Sequence, residues 1–197
     1  DVYKRQIQNG EIAKISNDII DTDNTKVIEH ENLHVSKGWF DSGVSFGEPG
    51  YEERETLENG LYVAASSGFT KILLNPDIIP IPDSNSTISH LFKMGQNKTT
   101  SLYPIGALTD KGEGKQLASL YDMHRQGAIG FGDYKSSLTS GNLLKIALQY
   151  VQSFEGIIFS YPLNDEIAES GVMHEGIIST RILSLIHISE PTRLNPI

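Results

Sequence analysis

Residues 38–74 read GWFDSGVSFGEPGYEERETLENGLYVAASSGFTKILL, and this stretch decides the fold. Gly38–Phe46 is strand-like, rich in aromatic and β-branched residues and closed by a glycine-rich turn. Residues 51–66 follow as a helix, because Leu57, Leu61, Ala64 and Ala65 recur at helical spacing and form one apolar face. Phe69–Leu74 then returns as a short apolar run of the kind buried on both faces of a parallel sheet. Strand, helix and parallel strand within one such stretch is the βαβ unit.

The same rhythm continues downstream. The pattern predicts a weaker helix over 84–97, a strand over Ser101–Ala107, and a helix over 114–125 carrying Leu117, Leu120 and Tyr121. A strand over Ala128–Phe131, a strong helix over 140–153 and a strand over Ile157–Ser160 complete it. Five strands alternating with four helices imply an α/β fold with a parallel sheet. A (β/α)8 TIM barrel takes roughly 250 residues, so about five of its eight strands are represented. Upstream, residues 7–37 read as a small β-rich segment: Ile12, Ala13 and Ile15, then Val27–Ile28, then Leu33–Val35, separated by polar turns.

The two ends read differently. Residues 1–6, DVYKRQ, can be encoded as GATGTGTATAAGAGACAG, and the reverse complement of that string translates as LSLIHI, which is residues 183–188. Such a relation belongs to a sequencing-library adapter read through in frame, so 1–6 and 183–197 are set aside as an adapter artefact. The expected organisation is therefore a β segment at 7–37 and a partial barrel at 38–182. Setting aside Asp1, Lys4, Arg5, Glu190 and Arg193 lowers the basic count from 16 to 13 and the acidic count from 25 to 23, so the net charge moves from −9 to −10. An acidic surface repels nucleic acid and anionic membranes. No apolar run approaches the roughly 20 residues that cross a bilayer. The chain has no cysteine, which removes disulfides and thiolate zinc sites and suits a cytoplasmic setting.

His30-Glu31-Asn32-Leu33-His34 matches H-E-x-x-H, a zinc motif when it lies on a helix. Here it follows a polar turn and reaches Gly38 within four residues, which is the wrong context, and we set it aside. His90, His124 and His174 each lack a second histidine or carboxylate at ligand spacing and read as exposed or capping side chains. Glu52, Glu53, Arg54, Glu55 and Glu58 read as the first turn of the 51–66 helix, where carboxylates meet the positive end of the macrodipole.

The decisive motif is Asp41-Ser-Gly-Val-Ser-Phe-Gly-Glu-Pro-Gly50. It resembles the end of the first barrel strand in dihydroorotases of the amidohydrolase superfamily, D-x-H-x-H-x-R-E-P-G. Asp41 and Glu48-Pro49-Gly50 match; the two metal-binding histidines fall on Gly43 and Ser45, and the substrate-holding arginine falls on Gly47. The resemblance continues through Gly60, Ala64–Thr70 and Asn75-Pro76-Asp77-Ile78-Ile79-Pro80, where the family reads M-P-N-T-x-P and its substrate-binding asparagine falls on Asp77. Gly127–Asp133 looks like the fourth-strand motif, with Asp133 keeping the acidic position close to the family's metal site. Ser160 stands where a third metal-binding histidine belongs, and Gly171–Gly176 followed by Ser179 matches the stretch after that strand.

The resemblance implies de novo pyrimidine biosynthesis, zinc in the active family members, an oligomer when full length, and interconversion of carbamoyl-aspartate and dihydroorotate. Opening a cyclic amide near neutral pH needs a metal that lowers the pKa of bound water to about 7. Glycine offers no ligand atom, and a neutral hydroxyl is a poor replacement for imidazole. We therefore expect a pseudoenzyme that carries no metal cofactor, acting as scaffold or partner of aspartate carbamoyltransferase. One rival is an active hydrolase that recruits Asp41, Asp77 and Asp133 around a hard cation. Another is a small-molecule-binding barrel whose ligand has changed.

Overall fold

Asn9 and Gly10 both adopt positive φ, 54° and 80°, the geometry of a tight two-residue hairpin turn. They join β1 (Lys4–Gln8) to β2 (Glu11–Ser16), which pair antiparallel. The computed structural model describes residues 4–20, 25–138 and 140–163 and the short stretches 173–174, 177–181 and 188–189. It divides into two units, residues 1–37 and 38–197. The hairpin is the regular structure described in the first. The strands expected at Val27–Ile28 and Leu33–Val35 do not form. A strand exists only through a ladder with a neighbour, and these four side chains lie exposed with no pairing partner among the described residues. His30–His34 sits in a turn closed by Leu33 N–H donating to the His30 carbonyl at 3.3 Å, so the two imidazoles do not share a helical face.

The second unit carries the expected alternation. Its strands are β3 (Trp39–Val44), β4 (Phe69–Leu74), β5 (Ser101–Gly106), β6 (Gly130–Phe131) and β7 (Ile157–Ile158). They form one sheet in the order β3-β4-β5-β6-β7, with every neighbouring pair parallel. The connecting helices are α1 (Leu57–Ser66), α2 (Asn85–Met94), α3 (Leu120–Arg125) and α4 (Gly141–Val151). Ile72, Leu73 and Leu74 of β4 are all buried, as a central parallel strand requires. Leu57 and Leu61 of α1 pack with Ile72, Leu74, Ile78, Leu91 and Leu102. A second cluster joins Ile88 of α2, Leu120 and Met123 of α3, and Ala147 and Val151 of α4 to Phe131. Among the described residues no helix is long and apolar enough to cross a membrane.

Two helices are shorter than their sequence pattern suggests, each for a local reason. Helix α1 starts at Leu57, because Thr56 is extended and its hydroxyl accepts from Asn59 N–H at 3.2 Å, a standard N-cap. The Glu48 carboxylate accepts a hydrogen bond from Leu57 N–H, satisfying another orphan donor of the first turn. The acidic run therefore lies mostly ahead of the helix: residues 52–54 are turn, Glu55 accepts from Thr56 N–H, and only Glu58 sits in the first turn. Helix α3 starts at Leu120 and not near residue 114. Gly112 and Gly114 have positive φ, and Thr109 bridges to Leu117 in an antiparallel pair, which folds 109–118 into a loop.

That loop is fastened from the neighbouring strand. Asp133, buried just past β6, accepts from Leu108 N–H at 2.9 Å and Thr109 N–H at 3.1 Å through one oxygen. Its other oxygen accepts from the Thr109 hydroxyl, which in turn accepts from Gly114 N–H at 2.8 Å. Removing the acceptor would strand three buried donors, and each costs about 1–3 kcal/mol. In the full-length protein, Asp133→Ala is expected to lower stability by on the order of 3 kcal/mol, read as a denaturation midpoint shift at unchanged slope. Thr56→Ala, which removes the α1 cap, is expected to cost about 1 kcal/mol in the same assay.

Candidate functional site

In a parallel barrel the C-terminal ends of the strands form the working face. Asp41 and Gly43 lie in the C-terminal half of β3 and Ser45 follows it directly, across a register irregularity between Asp41 and Val44. Asn75 and Asp77 follow β4, Asp133 and Tyr134 follow β6, and Ser160 follows β7. Ser45, Asn75, Asp77, Asp133, Tyr134 and Ser160 therefore all lie past the C-terminal ends of their strands, and the question is what each side chain does there.

Asp41 Oδ1 accepts from Gly43 N–H at 3.1 Å, closing a local turn. Ser45 is the hub. Its hydroxyl donates to Tyr134 Oη at 3.2 Å and accepts from Asn75 Nδ2 at 3.1 Å. A side chain at position 43 would begin 3.3 Å from Asn75 Oδ1, so Gly43 lies against the same cluster. Asp77 is half-buried, with Oδ1 enclosed and without a hydrogen-bond partner. Ser160 is exposed. Asp133 spends both oxygens on the 108–109 backbone and the Thr109 hydroxyl.

Gly47 is buried with φ +95°, and a Cβ there would lie 2.8 Å from the Tyr51 carbonyl oxygen. That carbonyl belongs to a tight turn in which Tyr51 N–H donates to Gly47 O at 2.8 Å. The turn carries its own polar contacts: the Arg54 guanidinium stacks 4.0 Å over the Tyr51 ring, and Glu52 accepts from Gly50 N–H at 2.8 Å. That backbone hydrogen bond holds the Glu52 carboxyl below its ordinary range. The turn is thus built around glycine at the position where the resemblance puts an arginine.

Does this donor set fit the zinc that the resemblance implies? Zinc takes three or four imidazole, thiolate or carboxylate ligands on converging side chains. Gly43 supplies no atom, the hydroxyl of Ser45 is engaged on both sides, Ser160 supplies a neutral hydroxyl, and Asp133 already accepts three hydrogen bonds. Among the described residues no three His, Asp or Glu side chains converge. The set does not fit, and we derive no chemistry through such an ion. The remaining histidines lie away from the mouth: His90 is exposed, and His124 lies against Phe154, with its Nδ1 3.2 Å from the Ala128 carbonyl. The side chain of His174, and most of 171–176, lie outside the described residues, as do residues 1–3, 182–187 and 190–197. A cleft of about 530 Å³ lined by Tyr121, His124, Arg125 and Phe154 opens at the other end of the helices, where α3 and α4 run into their strands.

Asn75 and Tyr134 were not singled out by the sequence reading. The available signal was positional: each polar residue falls immediately past a buried strand, where side chains reach the barrel mouth.

Comparison with known proteins fits this geometry. The family described as "Dihydro-orotase-like" matches residues 35–187. A dihydroorotase from Pelotomaculum thermopropionicum is 33% identical over 176 residues, covering 89% of this chain and 41% of that protein. One from Syntrophus aciditrophicus is 32% identical over 178 residues, with 89% and 42% covered. The chain thus spans about two-fifths of the length of the relatives it matches. Among solved structures, the L-hydantoinase (dihydropyrimidinase) from Arthrobacter aurescens superposes with a TM-score of 0.70 at 19% identity, covering 92% of this chain and 40% of that one, which supports the barrel fold. With more than half of its length matched by the family and its strand-end motifs in family order, the chain belongs to the dihydroorotase-like family.

Proposed function

We propose that this chain is part of a non-catalytic member of its family, acting in the cytoplasm within pyrimidine biosynthesis as a scaffold or partner of aspartate carbamoyltransferase. The observation that carries the reading is the state of the strand ends. The resemblance puts metal-binding histidines at the positions of Gly43, Ser45 and Ser160, and the Ser45 hydroxyl is committed to Asn75 and Tyr134. Without an ion, water at neutral pH is too poor a nucleophile to open an amide at a useful rate. Substrate recognition is altered with it. Gly47 carries no guanidinium to pair with a carboxylate, and Asp77 presents a carboxylate that repels an anionic substrate. The transcarbamoylase partner rests on the family's pathway alone and is an analogy.

An active hydrolase with replacement ligands draws on one specific observation, the enclosed and unpartnered Asp77 Oδ1. The other two carboxylates proposed for it are less available: Asp41 holds Gly43 N–H and Asp133 accepts three hydrogen bonds. A single carboxylate does not make a tight site. The barrel that binds a changed ligand stays the third reading, and a thermal shift with an unrelated metabolite would favour it.

Metal analysis and turnover assays on the full-length protein separate these readings. The expected result is well below one bound ion per chain, no turnover of dihydroorotate, and co-purification with the transcarbamoylase. Turnover that disappears on chelation would overturn the non-catalytic reading. Gly47→Arg provides a second check. Forcing a side chain into this positive-φ position costs about 1–3 kcal/mol before the collision with Tyr51 O is counted. The variant is expected to melt lower than the parent and to gain no affinity for dihydroorotate by calorimetry.

A further inference from the structure

The hydrogen bond between Ser45 and Tyr134 joins strands that are not neighbours. Ser45 follows β3 and Tyr134 follows β6, with β4 and β5 between them in the sheet. Three strand spacings amount to roughly 14 Å along a sheet, yet the two oxygens are 3.2 Å apart. The sheet therefore curls, and this contact runs across the concave side as a chord. Asn75, at the end of β4, joins the same hydroxyl from a third strand. In an enzyme of this architecture, tying distant strand ends together at the mouth is one of the things a metal ion does, because its ligands come from several strands.

We propose that Ser45, Asn75 and Tyr134 form an uncharged brace that holds the barrel mouth in place of an ion. The proposal rests on the reading that this mouth carries no catalytic metal, and it adds what stabilises the strand ends. The chemistry is self-contained. A serine hydroxyl has one proton to give and lone pairs to receive; the proton goes to the Tyr134 oxygen, and a lone pair takes the Asn75 amide hydrogen. An ion approaching Ser45 would compete with that amide for the oxygen. Charged groups border the brace without joining it: the Lys135 ammonium lies 4.9 Å over the Tyr134 ring, and the Asp41 carboxylate is held on Gly43 N–H. The adjacent pair β5 and β6 has its own tie in Asp133, so side-chain hydrogen bonds link the ends of β3, β4, β5 and β6.

The test is a double-mutant cycle in the full-length protein, with Tm measured in the presence of a chelator and of added zinc. Tyr134→Phe keeps the ring and removes the hydroxyl; Ser45→Ala removes the hub. Each is expected to lower Tm, and the double variant is expected to fall by clearly less than the two shifts added, because both delete the same bond. Wild-type Tm is expected to stay unchanged by chelator and by zinc. Fully additive shifts, or single variants with parental Tm, would overturn the brace even if the protein proves metal-free and inactive. A wild-type Tm that drops on chelation would instead overturn the reading beneath it. Circular dichroism of each variant confirms that the melts compare folded proteins.

Discussion

Everything at the mouth of this molecule depends on curvature in a parallel sheet. Parallel pairing sends every strand end to the same edge, and twisting of successive strands bends that edge round on itself. Side chains from residues far apart in the sequence are thereby placed within hydrogen-bonding distance. Here the meeting is between Ser45, Asn75 and Tyr134, three neutral groups that satisfy one another. The scaffold brings groups together without dictating which chemistry they perform, so the same architecture can hold an ion in one protein and a hydroxyl–amide–phenol cluster in another.

The architecture was largely legible in the sequence because burial on both faces leaves an unbroken apolar run. Phe69–Leu74 is a strand in the structure at the very bounds its composition suggested. Legibility failed where a strand or helix depends on partners or on single dihedral angles. Val27–Ile28 and Leu33–Val35 have the composition of strands but pair with nothing described. The 114–125 helix lost its first half because Gly112 and Gly114 turn the chain and Leu117 pairs back to Thr109. The hairpin at Asn9-Gly10 was missed as well, because residues 4–6 of its first strand had been set aside, although the dipeptide itself carries the signal.

The site divides in the same way. Motif order picked out Gly43, Ser45, Asp133 and Ser160, and the structure places them in or just past the C-terminal ends of their strands. What the side chains do there did not follow. Nothing in a one-dimensional reading ties Ser45 to Tyr134, 89 residues away, since the link passes through the hollow of the sheet. Asp133 shows the converse. A carboxylate that the motif suggested for a metal site organises a loop, accepting from Leu108 N–H, Thr109 N–H and the Thr109 hydroxyl. Retention of an acidic residue is therefore weak evidence for retained catalysis, because a buried carboxylate can be kept for the donors it satisfies.

The turn at Gly47 limits what this position can carry. Its left-handed backbone and the carbonyl of Tyr51 leave no room for a β-carbon unless the backbone shifts. A single substitution therefore cannot simply add a long side chain to the barrel entrance; the loop would have to rotate its peptide planes and move the Tyr51 carbonyl with it. The conformation and the residue are locked to each other, so a change in either needs coordinated replacements around the turn.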